Sequence, residues 1–183
     1  MAADEEIARV RREARQLLSA DEVDRAIAGM AKRIEAVFAV ADPVILAVMH
    51  GGVFTAVNLC RHFDFPYELA YVHASRYGRG LTGGALDWRV EPDRGLAGRA
   101  VLVVDDVLDR GVTLGSLCGK LRRLEVATLG VAVLVAKDVN GEPERPCPDF
   151  VGITTEDVYL FGCGMDYKGY WRGLPALYAV QTP

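Results

Sequence analysis

The hydrophobic residues of the first forty positions recur at helical spacing. Between residues 4 and 40 they stand mostly three or four positions apart, which gives each predicted helix one apolar face. Ser19 or Asp21, with Asp24 after it, marks a break and a new N-cap. The pattern predicts two amphipathic helices packed against a core through Ile7, Val10, Ala14, Leu17, Leu18, Val23, Ile27, Ile34 and Val37.

From Pro43 onward the apolar residues stand in continuous runs, the pattern of strands buried on both faces. Segments of helical periodicity lie between these runs, from Gly52 to about Phe63 and over residues 113–125. The alternation indicates the α/β class, with a central, mostly parallel sheet flanked by helices. The predicted strands are 44–50, 67–74, 99–106 and 127–137, followed by short ones within 150–155 and 158–167.

One long segment, residues 75–98, has neither periodicity and is rich in glycine and charge. Loops longer than about 12–15 residues are usually functional or disordered. We therefore expect a mobile lid here, with a plain surface hairpin as the alternative.

Composition narrows the choice of protein class. The chain has 183 residues, enough for one domain with a sizeable core, so residues 1–183 are predicted to form a single domain. Hydrophobic residues make up 51% and charged residues 25%, which is typical of a globular protein. The net charge of −4 gives no sign of a nucleic-acid partner, although local amides can still bind a small anion.

Cysteine spacing and the N-terminus bear on location. No C-x-x-C pair occurs, so zinc-ribbon and thioredoxin-like sites are excluded and buried free thiols are expected at Cys60, Cys118, Cys147 and Cys163. The N-terminus is charged, and nowhere do 18 apolar residues follow one another. We predict a cytoplasmic protein with no membrane span.

The segment "VLVVDDVLDRGVTLGS" (101–116) carries the candidate chemistry, because a buried strand ends there in three carboxylates: Asp105, Asp106 and Asp109. Ligands of parallel sheets bind beyond the carboxyl ends of the strands. Gly111 allows a tight turn, and the first N–H groups of the next helix, with the Thr113 hydroxyl, can hold a phosphate. Asp105 and Asp106 can accept hydrogen bonds from vicinal hydroxyls or bind a hard cation. The loop is suited to a ribose 5-phosphate.

The acidic strand end fits the signatures of other nucleotide- and phosphate-binding classes less well. The usual nucleotide signatures, G-x-x-x-x-G-K-[ST] and G-x-G-x-x-G, are missing from the sequence. "VLVVDD" also resembles the acidic pair of receiver domains, but about 100 residues precede it and no strand supplies the phosphorylated aspartate. A solvated turn without chemistry remains the simplest alternative.

The same segment resembles the phosphoribosyl pyrophosphate (PRPP) motif of type I phosphoribosyltransferases. The likeness extends over nearly the whole chain from Pro43 and points to the hypoxanthine-guanine branch. It implies that Asp109 is the general base facing the purine. The residues it implies for PRPP binding are Asp105, Asp106, Arg110, Gly111, Val112 and Thr113, with His50 and Gly51 of "VMHGG" and Arg172 of "YKGYWRGLP".

The resemblance also implies the other parts of the site. "VMHGG" (48–52) is similar to the family's pyrophosphate loop, which often has a cis non-proline peptide. The predicted lid would begin with Ser75, Arg76 and Tyr77. Lys137 would donate to the purine 6-oxo group. Residues 150–183 would form the base-binding segment and, with the N-terminal segment 1–40, a small hood over the core, 43–137. The remaining implied ligands are Tyr159, Leu160 and Asp166 for the purine, and Asp105, Asp106 and Asp166 for Mg²⁺.

Three positions depart from the family pattern. His50 stands where lysine is common, Asp105 precedes Asp106 where the branch usually has glutamate, and Arg76 separates Ser75 from Tyr77. A permanent charge at position 50 is thus replaced by a titratable one.

The activity implied is purine salvage: transfer of the phosphoribosyl group of PRPP to N9 of hypoxanthine or guanine, forming IMP or GMP and pyrophosphate. The alternatives are a xanthine-preferring phosphoribosyltransferase and a non-catalytic, RNA-binding regulator on the same fold. A homodimer or homotetramer is expected.

Overall fold

The computed structural model of the chain describes residues 2–76, 86–139 and 145–181. Its helices are α1 (Ala2–Glu13), α2 (Ala20–Phe38), α3 (Gly52–Cys60) and α4 (Val112–Arg123), with a 3₁₀ turn at Arg94–Leu96. Its strands are β1 (Arg15–Leu18), β2 (Val44–Met49), β3 (Glu68–Arg76), β4 (Leu86–Val90), β5 (Ala100–Leu108), β6 (Thr128–Lys137), β7 (Phe150–Thr155), β8 (Leu160–Phe161) and β9 (Leu177–Ala179).

The main sheet has six strands in the order β4-β3-β2-β5-β6-β7. All neighbours are parallel except β3 and β4. One face packs on α2 and α3 through residues such as Ile34 and Leu59, and the other on α4 through Leu117 and Leu121. Because β2 and β5 are covered on both faces, their sequences are continuous apolar runs. The predicted α/β class is confirmed.

A second, three-stranded sheet, β1-β9-β8, is made by the two ends of the chain and forms the expected hood. Leu17 and Leu18 were expected in a helix, and this was wrong: they lie in β1, where Leu18 is opposite Leu177 of β9. Pairing with a strand far along the chain overrides the local helical spacing. The predicted N-cap is confirmed at Ser19, which shares a capping box with Glu22.

The segment after β3 is more regular than predicted. β3 runs on to Arg76, and β4 returns antiparallel to it, with Trp88 opposite Ala74. At its base the segment is therefore a hairpin. Tyr77 and the glycine-rich centre lie outside the described residues, so the lid stays a prediction.

Two smaller expectations can also be compared with the structure. The four cysteines are free, as predicted, but only Cys118 and Cys163 are buried, whereas Cys60 is partly buried and Cys147 is exposed. Within the described ranges, no helix has the length and apolar character needed to cross a bilayer.

Candidate active site

A cavity of about 590 Å³ opens where the carboxyl ends of β2, β5 and β6 face the hood. The predicted site residues that line it are His50, Gly51, Asp105, Asp106, Asp109, Gly111, Val112, Thr113, Lys137, Tyr159, Leu160, Asp166 and Arg172. Arg110 and Ser75 are described but do not line it, and Arg76 is the last residue of β3. Met165 and Ala74 line it as well and were not predicted.

The acidic pair at the end of β5 is buried, with Asp105 and Asp106 each only 8% exposed. The Asp106 N–H donates to Asp105 Oδ1 at 2.9 Å, and the Val107 N–H donates to Asp106 Oδ1 at 2.8 Å. Burial raises the pKa of both carboxyls, and the charge of Asp106 raises the pKa of Asp105 further. Two desolvated carboxylates at a cavity wall are suited to binding hydroxyl donors or a cation.

The oxygen ligands of this pair fit Mg²⁺, which is commonly bound by one or two carboxylates together with substrate phosphates. In the part of the chain that the structure describes, no three His, Cys, Asp or Glu side chains form a metal site by themselves. Asp166 is engaged elsewhere, since its Oδ1 is 2.5 Å from Arg172 and its Oδ2 accepts from the Gly169 N–H at 2.6 Å. Its role as a metal ligand stays a prediction.

The candidate pyrophosphate loop packs tightly between the acidic pair and the hood. A side chain at Gly51 would overlap the Asp106 carboxylate, and one at Gly164 would overlap the carbonyl of Gly51. Gly164 also has a φ of +102°, which favours glycine. The peptide bond between Met49 and His50 is cis, as the resemblance leads one to expect. Gly164 was not predicted, although the spacing "GCG" (162–164) was a signal of a tight turn.

The candidate phosphate loop has the predicted backbone form, a glycine turn that leads into a helix. Gly111 has a left-handed conformation, with φ +78°, and α4 begins directly after it at Val112. Gly111 offers this helix no side-chain cap, and Val112 and Thr113 of its first turn line the cavity. A helix N-terminus of this kind binds anions through N–H groups and the helix dipole.

Arg172 connects the hood to the acidic pair. Its Nη1 donates to the Gly164 carbonyl at 2.7 Å, while Nη2 pairs with Asp166. Its positive charge also lowers the pKa of Asp106, against the effect of burial. A guanidinium is therefore held beside the cavity where a pyrophosphate group would meet the carboxylates.

The ends of β5 and β6 bring Asp109 and Lys137 together. Lys137 Nζ is 3.9 Å from Asp109 Oδ1 and 3.2 Å from Asp157 Oδ1, and the lysine side chain is only 12% exposed. Arg145 fastens the two strand ends, since its Nη2 donates to the carbonyls of Leu108 (2.8 Å) and Lys137 (2.6 Å). Asp157 and Arg145 were both missed, because no local pattern shows which strand end they would contact.

Tyr159 presents an aromatic face to the cavity. It is 53% exposed, and its ring meets Tyr167 edge-on at 5.6 Å. Burial of its hydroxyl and the charge of Asp166 raise the pKa of Tyr159, so the phenol stays neutral. The α1 helix supports this arrangement because Glu6 accepts a hydrogen bond from the Tyr167 hydroxyl at 2.8 Å. Leu160 is buried in β8 beside it.

His50, one of the residues that depart from the family pattern, lies edge-to-face against His73 of β3, with ring centres 4.5 Å apart. Partial burial lowers the pKa of His73, and the neighbouring His50 and Arg89 lower it further. The imidazole of His73 is thus kept neutral beside the candidate pyrophosphate loop.

Comparison with known proteins agrees with this geometry. Residues 13–168 match the family model described as "Phosphoribosyl transferase domain". The chain is 30% identical over 163 residues to a hypoxanthine-guanine-xanthine phosphoribosyltransferase of Tritrichomonas foetus, covering 89% of each protein. It is 29% identical over 167 residues to the hypoxanthine-guanine phosphoribosyltransferase of Aquifex aeolicus, covering 90% of this chain and 93% of the relative.

Solved structures give the same result. A hypoxanthine-guanine phosphoribosyltransferase of Bacillus anthracis superimposes with a TM-score of 0.80 at 26% identity, covering 92% of this chain and 99% of the other. A hypoxanthine phosphoribosyl transferase of Trypanosoma cruzi superimposes with a TM-score of 0.83 at 26% identity, covering 91% of each. The chain belongs to the phosphoribosyltransferase family, in its hypoxanthine-guanine branch.

Proposed function

We propose that this protein transfers the phosphoribosyl group of PRPP to N9 of a 6-oxopurine, releasing pyrophosphate and forming a nucleoside monophosphate. One observation carries the proposal: a buried acidic pair, a helix N-terminus and a lysine share one cavity. The first two suit the two ends of a phosphorylated ribose, and the lysine suits an oxo group. The names of the relatives support hypoxanthine or guanine as the base, which would give IMP or GMP in purine salvage.

The PRPP end of the cavity binds and orients the sugar. Val112, Thr113 and the backbone at Gly111 hold the 5-phosphate, while Asp105 and Asp106 accept hydrogen bonds from the ribose hydroxyls. His50, Gly51 and Arg172 contact the pyrophosphate. Arg110, next to Asp109, would contribute to the PRPP loop from outside the cavity lining. Asp105 and Asp106 would hold Mg²⁺, which when bound neutralises charge on the leaving pyrophosphate.

The purine end selects and activates the base. Asp109 accepts the N7 proton, or a hydrogen bond from it, as N9 attacks the sugar carbon. Lys137 donates to the 6-oxo group, whereas a 6-amino base would offer this nearly buried ammonium no acceptor on the purine, which is unfavourable. Tyr159 stacks on the purine, the Leu160 backbone meets the base edge, and Asp166 lies near the exocyclic group at C2.

Xanthine is the second candidate base. The Tritrichomonas relative, whose name includes xanthine, is 30% identical and is matched over 89% of its length. Xanthine differs from guanine at C2, so the surroundings of Asp166 would decide between them. The lid around Ser75, Arg76 and Tyr77, the cytoplasmic location and the homodimer or homotetramer remain predictions.

The decisive experiment is an assay of nucleotide formation. The full chain is mixed with PRPP, Mg²⁺ and hypoxanthine, guanine, xanthine or adenine in turn, and the product is followed by chromatography. We expect IMP and GMP to form, adenine to be inert, and a chelator to stop the reaction. Absence of product with every 6-oxopurine would refute the proposed function, and RNA binding without transfer would favour the regulator.

A further inference from the structure

The ammonium group of Lys137 lies between two carboxylates, and the two contacts are unequal. Its Nζ is 3.2 Å from Asp157 Oδ1 and 3.9 Å from Asp109 Oδ1. The shorter contact is a hydrogen bond, whereas 3.9 Å is too long for one. The lysine is thus held by the carboxylate that the proposed chemistry does not use.

Asp157 cannot act on the substrate directly. It follows the end of β7 by two residues, it is not among the residues that line the cavity, and its side chain is 53% exposed. Lys137, by contrast, lines the cavity and is only 12% exposed. Its hydrogen bond to Lys137 is therefore the side-chain contact that connects Asp157 to the cavity.

The ammonium needs a second partner because little water reaches it. A nearly buried charge depends on nearby acceptors, and opposite charges attract more strongly where water is excluded. If Asp157 were absent, Asp109 would be the carboxylate left beside Lys137 in the described contacts. The lysine would then move onto Asp109 and form a close ion pair with it.

We propose that Asp157 is a positioning residue, which holds the Lys137 ammonium away from Asp109 and in place to donate to the 6-oxo group of the purine. This role rests on the proposed function. An ammonium has three N–H donors, so Lys137 can keep its bond to Asp157 and still donate to the base. The Asp109 carboxylate thus stays without a hydrogen bond from Lys137 and can accept the N7 proton.

The first test is Asp157→Ala, assayed in the full chain with hypoxanthine and PRPP. We expect kcat/KM for hypoxanthine to fall about 10- to 100-fold, because a misplacement of about 1 Å at a reacting centre can cost about 10²-fold. The Kd for PRPP, measured by calorimetry, should stay unchanged, since Asp157 does not contact that end of the cavity. Wild-type kcat/KM in Asp157→Ala would overturn the proposal.

A double-mutant cycle separates positioning from a general structural effect. In a Lys137→Met background, adding Asp157→Ala should change kcat/KM by less than about 2-fold, because the group it acts through is gone. The same fold-loss in both backgrounds would overturn the proposal. If the Lys137→Met protein turns over too slowly to assay, the same cycle is measured through the Kd for the product IMP.

Two further variants control for charge and folding. Asp157→Asn keeps an acceptor oxygen for Lys137 and should restore part of the activity. Asp138→Ala removes an exposed carboxylate next to Lys137 in the chain and should leave activity and unfolding temperature unchanged. A wild-type protein without transfer activity would refute the proposed function itself, whereas an active wild type with additive mutants refutes only the role of Asp157.

Discussion

At the scale of single residues, the site is built from groups whose burial works against stability. Asp105 and Asp106 are carboxylates in a place where water cannot solvate them fully, and burial raises the pKa of each. A protein keeps such groups where binding needs them, because a ligand or cation can replace the lost water. Activity and stability should therefore respond in opposite directions to substitution here.

Asp105→Asn should stabilise the free protein. Because the pKa of Asp105 is raised above its ordinary value of 3.8, the folded chain keeps the proton to higher pH than the unfolded chain does. The free energy of unfolding therefore falls as pH rises from about 3.8 through the raised pKa, and it stays lower above that pH. The variant should unfold at least about 2 °C higher at pH 7, with a smaller gain near pH 4.5.

Calorimetric scans without Mg²⁺ measure this effect, and transfer activity should be lost in the same variant. Asp138→Asn, on the exposed surface, is the matched control and should behave as wild type. An Asp105→Asn protein that is less stable than wild type at pH 7 would contradict this prediction.

Asp109→Asn should lower turnover without weakening PRPP binding. Asparagine is nearly isosteric with aspartate but cannot take a proton, and general-base assistance is typically worth about 10²- to 10⁴-fold. Steady-state kcat and a calorimetric Kd for PRPP test the two halves separately. Equal turnover in the variant would remove Asp109 from the base role.

At the scale of elements, two neighbouring strands present the proposed reacting groups, so the alignment of their ends matters. β5 and β6 pair in parallel up to Leu108 opposite Ala136, and Asp109 and Lys137 follow directly. Arg145 donates to the carbonyl of Leu108, the last paired residue of β5, and to that of Lys137, the residue after Ala136. Arg145 and Pro146 also pack against Gly111, so the segment they belong to supports the candidate phosphate loop as well.

Arg145→Met should loosen the ends of both strands. Methionine fills similar space but donates no hydrogen bond, which leaves two carbonyls without their donor. We expect the free energy of unfolding to fall by about 1–3 kcal/mol and kcat/KM to fall about 10-fold. Denaturant titration and steady-state kinetics measure these changes, and Arg123→Met on the exposed end of α4 is the control. Unchanged kinetics would show that the strand pairing alone fixes Asp109 and Lys137.

At the scale of the whole molecule, the two chain ends come together over the cavity. β1 pairs with β9, Trp171 Nε1 donates to the carbonyl of Ile7, and Glu6 accepts from Tyr167. Tyr167 in turn lies edge-on to Tyr159 at the cavity. The N-terminal helix therefore supports the surface on which the purine would stack.

Tyr167→Phe tests this support by removing one hydroxyl. The ring against Tyr159 is kept, but the hydrogen bond to Glu6 is lost, so the stacking surface should become less ordered. We expect KM for the purine to rise about 3-fold, with kcat and the Kd for PRPP unchanged. Tyr170→Phe, at a tyrosine that is 53% exposed, is the matched control. An equal effect of both variants on KM would exclude a specific role of the Glu6 contact.

The segments predicted correctly from the sequence are those whose conformation depends on residues close to one another in the chain. The buried strand, the acidic pair, Gly111 and the start of α4 lie within residues 101–116, so their order alone indicated a strand, a turn and a helix N-terminus. The main parallel sheet followed from the alternation of strands and helices. The hood strand β1 was mistaken for helix because its partner, β9, lies at the opposite end of the chain.

By itself, then, the sequence determined the α/β class, the acidic strand end and the glycine turn before α4, because each is set by local backbone geometry and by the spacing of apolar residues. Only the tertiary structure decided that Asp157 holds Lys137, that Arg145 joins β5 to β6 and that Gly164 packs on Gly51. These contacts join residues distant in the chain, whose separation depends on strand register and loop path, and neither is encoded in any one segment.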